Sequence, residues 1–203
     1  MIDEQTIQLF RSRGFHVIPC ATRQEAVEAF LGSIAPAAAV GIGGSVTVQE
    51  LGLADTLRSL GHTVHWHWEG AATPDGQDVR RLALQADEYL MSANAISRDG
   101  ALANIDGTGN RLAALLYGPP RVHLFIGRNK WVDTEADCVP RIKAKACPPN
   151  ARRLGLALPC AKADRCMDCT ADNKMCKLTL SVTANPSGGR QLVLYFIDED
   201  LGY

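Results

Sequence analysis

The sequence predicts an α/β fold, a mostly parallel sheet covered by helices on both faces, with a short cysteine-containing C-terminal arm. Three observations carry this. Short apolar runs of strand length alternate with longer stretches of helical periodicity. One run, RVHLFIG at 121–127, has the composition of a buried strand. Hydrophobic residues make up 46% of the 203 residues, enough for a real core.

The elements follow in order. MIDEQTIQLFRSRGF reads as an amphipathic first helix. TRQEAVEAFLGSI opens on Thr22 with Glu25 three residues later, a capping-box signature, and Ala26, Phe30 and Ile34 share one face. AAAVGIGG is a short buried strand ending in glycines. SVTVQELGLADTLRSLG is a helix broken near Gly52, and HTVHWHW a strand. Asp78 to Ala86 is helical in pattern, EYLMSANAI strand-like, GALANID a short strand, and GTGNRLAALLYG a turn and helix. TEADCVPRIKAKA is helical with a distortion expected at Pro140. GRQLVLYFIDED is a last strand after an NPSGG turn. No internal repeat is visible. The composition shifts near Pro148–Pro149, so residues 1–203 read as a single domain that includes a cysteine-rich segment at 159–177.

A net charge of −1 argues against non-specific nucleic-acid binding, which needs a basic surface. No apolar run is long enough to span a bilayer, and the N-terminus has no basic-then-apolar signal pattern. The expected location is therefore the cytoplasm. Small molecules or other proteins, a second copy of the chain included, are the expected partners.

VGIGGSVTVQELG sets Gly41, Gly43, Gly44, Ser45 and Thr47 between a strand and a helix. Glycines there let a ligand approach the backbone, and a helix start offers unpaired N–H groups, which together suit an anion. The pattern is neither a dinucleotide fingerprint nor a P-loop. The plain alternative is a tight turn with Ser45 as N-cap. SANAISRDGALANIDGTGNR is dense in hydrogen-bonding groups: Ser92, Asn94, Asp99, Asn104, Asp106, Asn110 and Arg111. Asp106 is a candidate general base or hydroxyl-orienting group, and Arg111 a candidate bidentate partner for a carboxylate or phosphate. Each also suits a purely local turn. Asn129 and Lys130 follow the buried strand, at the end where such folds bind ligands. His65, His67 and Glu69 would share one strand face and form a weaker zinc candidate; the alternative is a half-exposed strand with its tryptophans inward.

Four of the seven cysteines, Cys160, Cys166, Cys169 and Cys176, fall in the spacing C-x5-C-x2-C-x6-C. Thiolates three residues apart reach one ion in a tight turn, and Lys162, Arg165, Lys174 and Lys177 would temper their charge. Zinc would make a structural clip, a 4Fe–4S cluster an electron carrier; free thiols or disulfides remain open.

The stretches GIGGSVTVQELGL, SANAISRDGALANIDGTGNRLAALLYGP, VHLFIGRNKWV, PPNARRLGLALPC and IDEDLGY, in this order, resemble the LUD (lactate utilisation) domain family. The cysteine run resembles a stand-alone branch of it. The resemblance implies a three-layer α/β/α fold like the sugar-phosphate isomerase and CoA-transferase group. It also implies an accessory role in L-lactate oxidation beside iron–sulfur partner proteins. It makes the Gly41–Ser45 loop and the Asn104–Arg111 turn the candidate site of a small anionic ligand. An iron–sulfur redox subunit, and a ligand-sensing or assembly module with a structural zinc, are the other functional expectations.

Overall fold

The computed structural model describes residues 2–186 and 188–203. The strands are β1 (His16–Cys20), β2 (Ala39–Ile42), β3 (Thr63–Trp66), β4 (Glu88–Met91), β5 (Ala95–Ser97), β6 (Leu102–Asp106), β7 (Arg121–Gly127), β8 (Trp131–Val132), β9 (Leu178–Val182) and β10 (Gln191–Ile197). The helices are α1 (Glu4–Ser12), α2 (Arg23–Leu31), α3 (Val46–Glu50), α4 (Leu53–Ser59), α5 (Val79–Leu84), α6 (Asn110–Tyr117), α7 (Glu135–Arg141), α8 (Cys147–Arg153) and α9 (Pro159–Ala163). None of them is long and apolar enough to cross a membrane. The chain forms two compact units, the first from residues up to Ser92 with Asn110–Asn129 and Ala184–Gly202, the second from Ala93–Gly109, Lys130–Thr183 and Tyr203.

The first unit is a six-stranded sheet in the order β1-β10-β7-β4-β2-β3, parallel throughout. Both faces are covered because its strands are apolar on both sides. Along β10, Val193, Tyr195 and Ile197 join Phe30 of α2 and Leu53 and Leu57 of α4 in one cluster. Phe196, on the opposite face, meets the Phe10 ring of α1 edge-on at 5.4 Å. Helices on opposite faces of one sheet make the expected three-layer α/β/α arrangement. A polar chain crosses this core. His123 Nε2 lies 2.7 Å from Glu88 Oε2 and its Nδ1 3.1 Å from the Tyr195 hydroxyl, while Arg121 donates to Glu88 at 2.8 Å. Burial pushes the Tyr195 hydroxyl up to about 12 and holds His123 below the usual imidazole range.

Local signals explain the elements. Thr22 accepts from the Glu25 amide at 3.2 Å, and Glu25 reaches back to the Ala21 amide at 2.7 Å, so the cap satisfies donors on both sides of the helix start. The expected break falls at Gly52, left-handed at φ 65°, between α3 and α4. EYLMSANAI divides into β4 and β5, which lie in different sheets. The strand read through HTVHWHW ends at Trp66, so His67 and Glu69 lie beyond it. The NPSGG turn includes Ser187, outside the described residues.

The second unit carries a four-stranded sheet, β8-β5-β6-β9. Ala95, Ala103 and Ile105 pack against Cys138, Ile142, Ala146 and Cys147. Pro140 sits inside α7, lacks an amide to donate, and the helix passes into a π-helical turn at Ile142–Ala146 before α8. The sequence reading assigned no strand at 178–182; there β9 pairs antiparallel with β6 along the sheet edge.

Candidate functional site

In the first unit the glycine loop leaves β2 at the carboxyl end of the parallel sheet. Gly41 is in the strand itself, where a Cβ would stand 2.3 Å from the Ala83 carbonyl oxygen of α5. The Gly43 amide donates to the Leu90 carbonyl at 2.9 Å and ties the loop to β4. Above Gly43 lie the Arg111 side chain and the Tyr89 hydroxyl, each 3.0 Å from where a Cβ would be; above Gly44 lie Trp68 Nε1 at 3.0 Å and the His67 ring. The glycines thus let four side chains close directly onto the loop. Ser45 caps α3 by accepting from the Val48 amide at 3.2 Å, the alternative weighed for it. Thr47 donates to the Leu201 carbonyl at 3.3 Å.

Arg111 comes to this loop from the first turn of α6, beside Asn110. A helix start favours negative charge, yet this first turn holds no acid and one guanidinium. Asn129 instead braces the C-terminal segment, donating to the Gly202 carbonyl at 3.0 Å and accepting from the Leu201 amide at 3.1 Å. Ser92 is buried and donates to the Phe125 carbonyl at 2.6 Å.

The second unit holds the other polar candidates. Asn94 and Asn104 clamp the β5–β6 hairpin: Asn104 Oδ1 accepts from the Asn94 amide and Asn94 Oδ1 from the Ile105 amide, both at 3.0 Å. Asn104 Nδ2 is buried without an acceptor among the described residues. Asp106 Oδ1 accepts from the Thr108 and Gly109 amides at 3.0 and 3.1 Å and so shapes the DGTG turn. Lys130 is buried, and Arg141 donates to the carbonyls of Asn94 at 2.7 Å and Tyr203 at 3.0 Å.

The cysteines occupy this unit as well, and all seven are unpaired thiols. Cys160 is buried in α9; Cys166, Cys169 and Cys176 are partly exposed on the irregular stretch between Ala163 and Leu178. Asp168, left-handed at φ 45°, donates its amide to Cys166 Sγ at 3.4 Å inside the C-x2-C turn. Asp168 pairs with Lys143, and Asp164, left-handed at φ 54°, with Arg152. Burial raises the Cys160 thiol above its usual value, and the nearby charges of Cys169, Cys166 and Cys176 add to the shift. Cys147, at the start of α8, is pushed up to about 12 by burial and then by Cys176, Cys166 and Cys160. Among the described residues no three His, Cys, Asp or Glu side chains are drawn together closely enough to hold a metal ion. Glu69 is engaged instead by Arg58, at 2.9 Å from its Nη1.

Sequence reasoning brought Arg111 and the glycine loop together but missed Tyr89 and Trp68. The alternation of HTVHWHW was the available signal for Trp68, and it was obscured because β3 ends before it.

A profile of the LUD domain matches residues 4–194. No curated protein matches the chain. Among solved structures, a DUF162 family protein from Deinococcus radiodurans is similar, with a TM-score of 0.54 and 12% identity over 95% of this chain and 94% of that one. A likeness at that identity speaks for the fold alone. With the profile spanning nearly its whole length, the chain belongs to the LUD-domain family.

Proposed function

We propose that the protein binds a small organic anion over Gly43 and Gly44, beneath Arg111, and serves as an accessory to organic-acid oxidation, with L-lactate as the acid. One observation carries this reading: the side chain of Arg111, from the acid-free first turn of α6, crosses Gly43 through its Cγ and Cδ at the carboxyl end of a parallel sheet. Arg111 would supply charge and paired donors, Tyr89 and Trp68 further donors, and His67 a proton donor or acceptor beside the ligand. Thermal unfolding in the presence of L-lactate, sugar phosphates and CoA esters tests it. At least one of them is expected to stabilise the wild type. The proposal fails if none does and Arg111→Ala leaves cell growth on lactate unchanged.

A second reading concerns the cysteine segment, where the Asp168 amide on Cys166 Sγ supports a metal–thiolate turn. Cys160, Cys166, Cys169 and Cys176 would hold the metal. A 4Fe–4S cluster there would supply one-electron transfer to a partner protein, and zinc would supply shape. Lys143 and Arg152 would hold the loop through Asp168 and Asp164. Anaerobically purified protein containing iron and sulfide supports the redox role; colourless protein with zinc leaves the clip.

A further inference from the structure

The glycine loop is roofed. His67 and Trp68 follow β3, and the Glu69 amide donates to the Trp66 carbonyl at 3.1 Å, which makes them the two central residues of a tight turn. A Cβ at Gly44 would stand 3.0 Å from Trp68 Nε1 and 3.4 Å from His67 Cε1. The indole nitrogen is therefore at most about 4.5 Å from the Gly44 Cα. A ligand atom that rests on this backbone and accepts from the indole needs about 6 Å along the same line. No such atom fits while the turn is down, and the turn must retreat by roughly 2 Å to admit one.

The turn is lightly held. No residue from His67 to Asp78 is buried, so no core side chain pins the segment. At its far end the Val79 amide donates to the Ala71 carbonyl at 3.1 Å and Ala72 pairs with Asp78, so the segment closes on itself before α5. Two side-chain contacts bear on the turn. The Trp68 ring stacks on Trp66 of the core cluster, with centroids 5.3 Å and planes 27° apart. Glu69 accepts from both terminal nitrogens of Arg58 on α4, one of them at 2.9 Å. Aromatic pairs keep their attraction to about 7 Å, so the stack can slide by the required amount. The two-point ion pair does not stretch that far. Asp55, 3.4 Å from Arg58 on the same helix, is the partner that remains when the pair parts.

Resting on the anion-site reading above, we propose that the His67–Trp68 turn is a latched cover over that site. Arg58 and Glu69 hold it shut. When they part the turn lifts, an organic anion reaches the Gly44 backbone, and Trp68 Nε1–H donates to it from the raised position. The closed form competes with the ligand, so apparent affinity follows the fraction of molecules that are open.

Two measurements on the full chain test this. Hydrogen exchange without ligand reads the cover alone. In Arg58→Met and in Glu69→Gln the amides between His67 and Ala72 are expected to exchange ~2–5-fold faster than in wild type, the weight of a partly exposed ion pair. Calorimetric titration of L-lactate reads the coupling, and both variants are expected to bind ~2–5-fold more tightly than wild type. The signs separate a latch from simple electrostatics, because losing a cation near an anion site weakens binding and losing an acid strengthens it. The cover is overturned if exchange is unchanged in both variants, or if Arg58→Met binds L-lactate more weakly than wild type. If L-lactate binds none of the three proteins, the anion-site reading fails for lactate, while faster exchange in both variants still supports a latched cover. Arg58→Gln replaces Arg58→Met if the latter does not fold.

Discussion

Alanine at Gly41 is expected to wedge α5 away from the sheet. The new Cβ would stand 2.3 Å from the Ala83 carbonyl oxygen and 2.8 Å from Ala83 C and Cα. All three are backbone atoms, so no rotamer change relieves the contact, and helix and strand must separate by roughly an ångström. Gly41 also lies between two parallel partners, opposite His65 in β3 and Tyr89 in β4, so β2 cannot retreat without straining both ladders. The cost belongs at the upper end for overpacking, about 2–3 kcal/mol. For a chain of this length that lowers the midpoint of thermal unfolding by about 5–10 °C. Gly43→Ala is the control. Its Cβ meets Arg111 Cγ and Cδ and the Tyr89 hydroxyl, side-chain atoms that can shift, so its cost is expected to stay near 1 kcal/mol or below. Thermal and urea unfolding of the two variants decide the matter. The packing argument is wrong if Gly41→Ala is as stable as wild type, or if Gly43→Ala is the more damaging of the two.

Two other perturbations probe the first unit. Arg190 is buried and donates to the carbonyls of Leu115 at 2.9 Å, Pro119 at 3.2 Å and Ala114, covering the C-terminal end of α6. Arg190→Met should cost about 2–3 kcal/mol in urea unfolding by leaving those carbonyls without their charged donor; a loss below about 1 kcal/mol would refute the capping role. Burial holds His123 below its usual value, with the Glu88 hydrogen bond opposing but not outweighing it. The unfolded chain therefore binds this proton first as pH falls. The stability His123 contributes is full above about pH 6.5 and declines as pH drops from there toward the folded value. His123→Gln should flatten urea stability measured between about pH 7 and pH 5; an unchanged slope would contradict the sign.

Much of the fold was legible because its signals are local. The Thr22–Glu25 cap, the left-handed Gly52 and the apolar run of β7 each carry their own cause. β9 escaped although Leu178, Leu180 and Val182 alternate with Thr179 and Ser181, because the run is a short edge strand, largely exposed and directly after the cysteine loop. The candidate site was legible only in part. Gly43 and Arg111 meet, but Ser92, Asn94 and Asn104 bond to backbone that burial would otherwise leave unpaired. A sequence shows that a polar group is present; whether it faces a ligand or its own chain depends on contacts made across the fold. Tyr89 was hidden for the same reason, a core aromatic by pattern whose hydroxyl ends at the glycine loop.

The most direct test is calorimetric titration of L-lactate, and of whichever anion most raises the unfolding temperature, into wild type and Arg111→Ala. If the anion sits beneath Arg111, wild type binds and the variant binds about 10–100-fold more weakly, the loss of one charge-assisted contact of 1.5–3 kcal/mol. Equal affinity in the two proteins would contradict a site built on Gly43, Gly44 and Arg111.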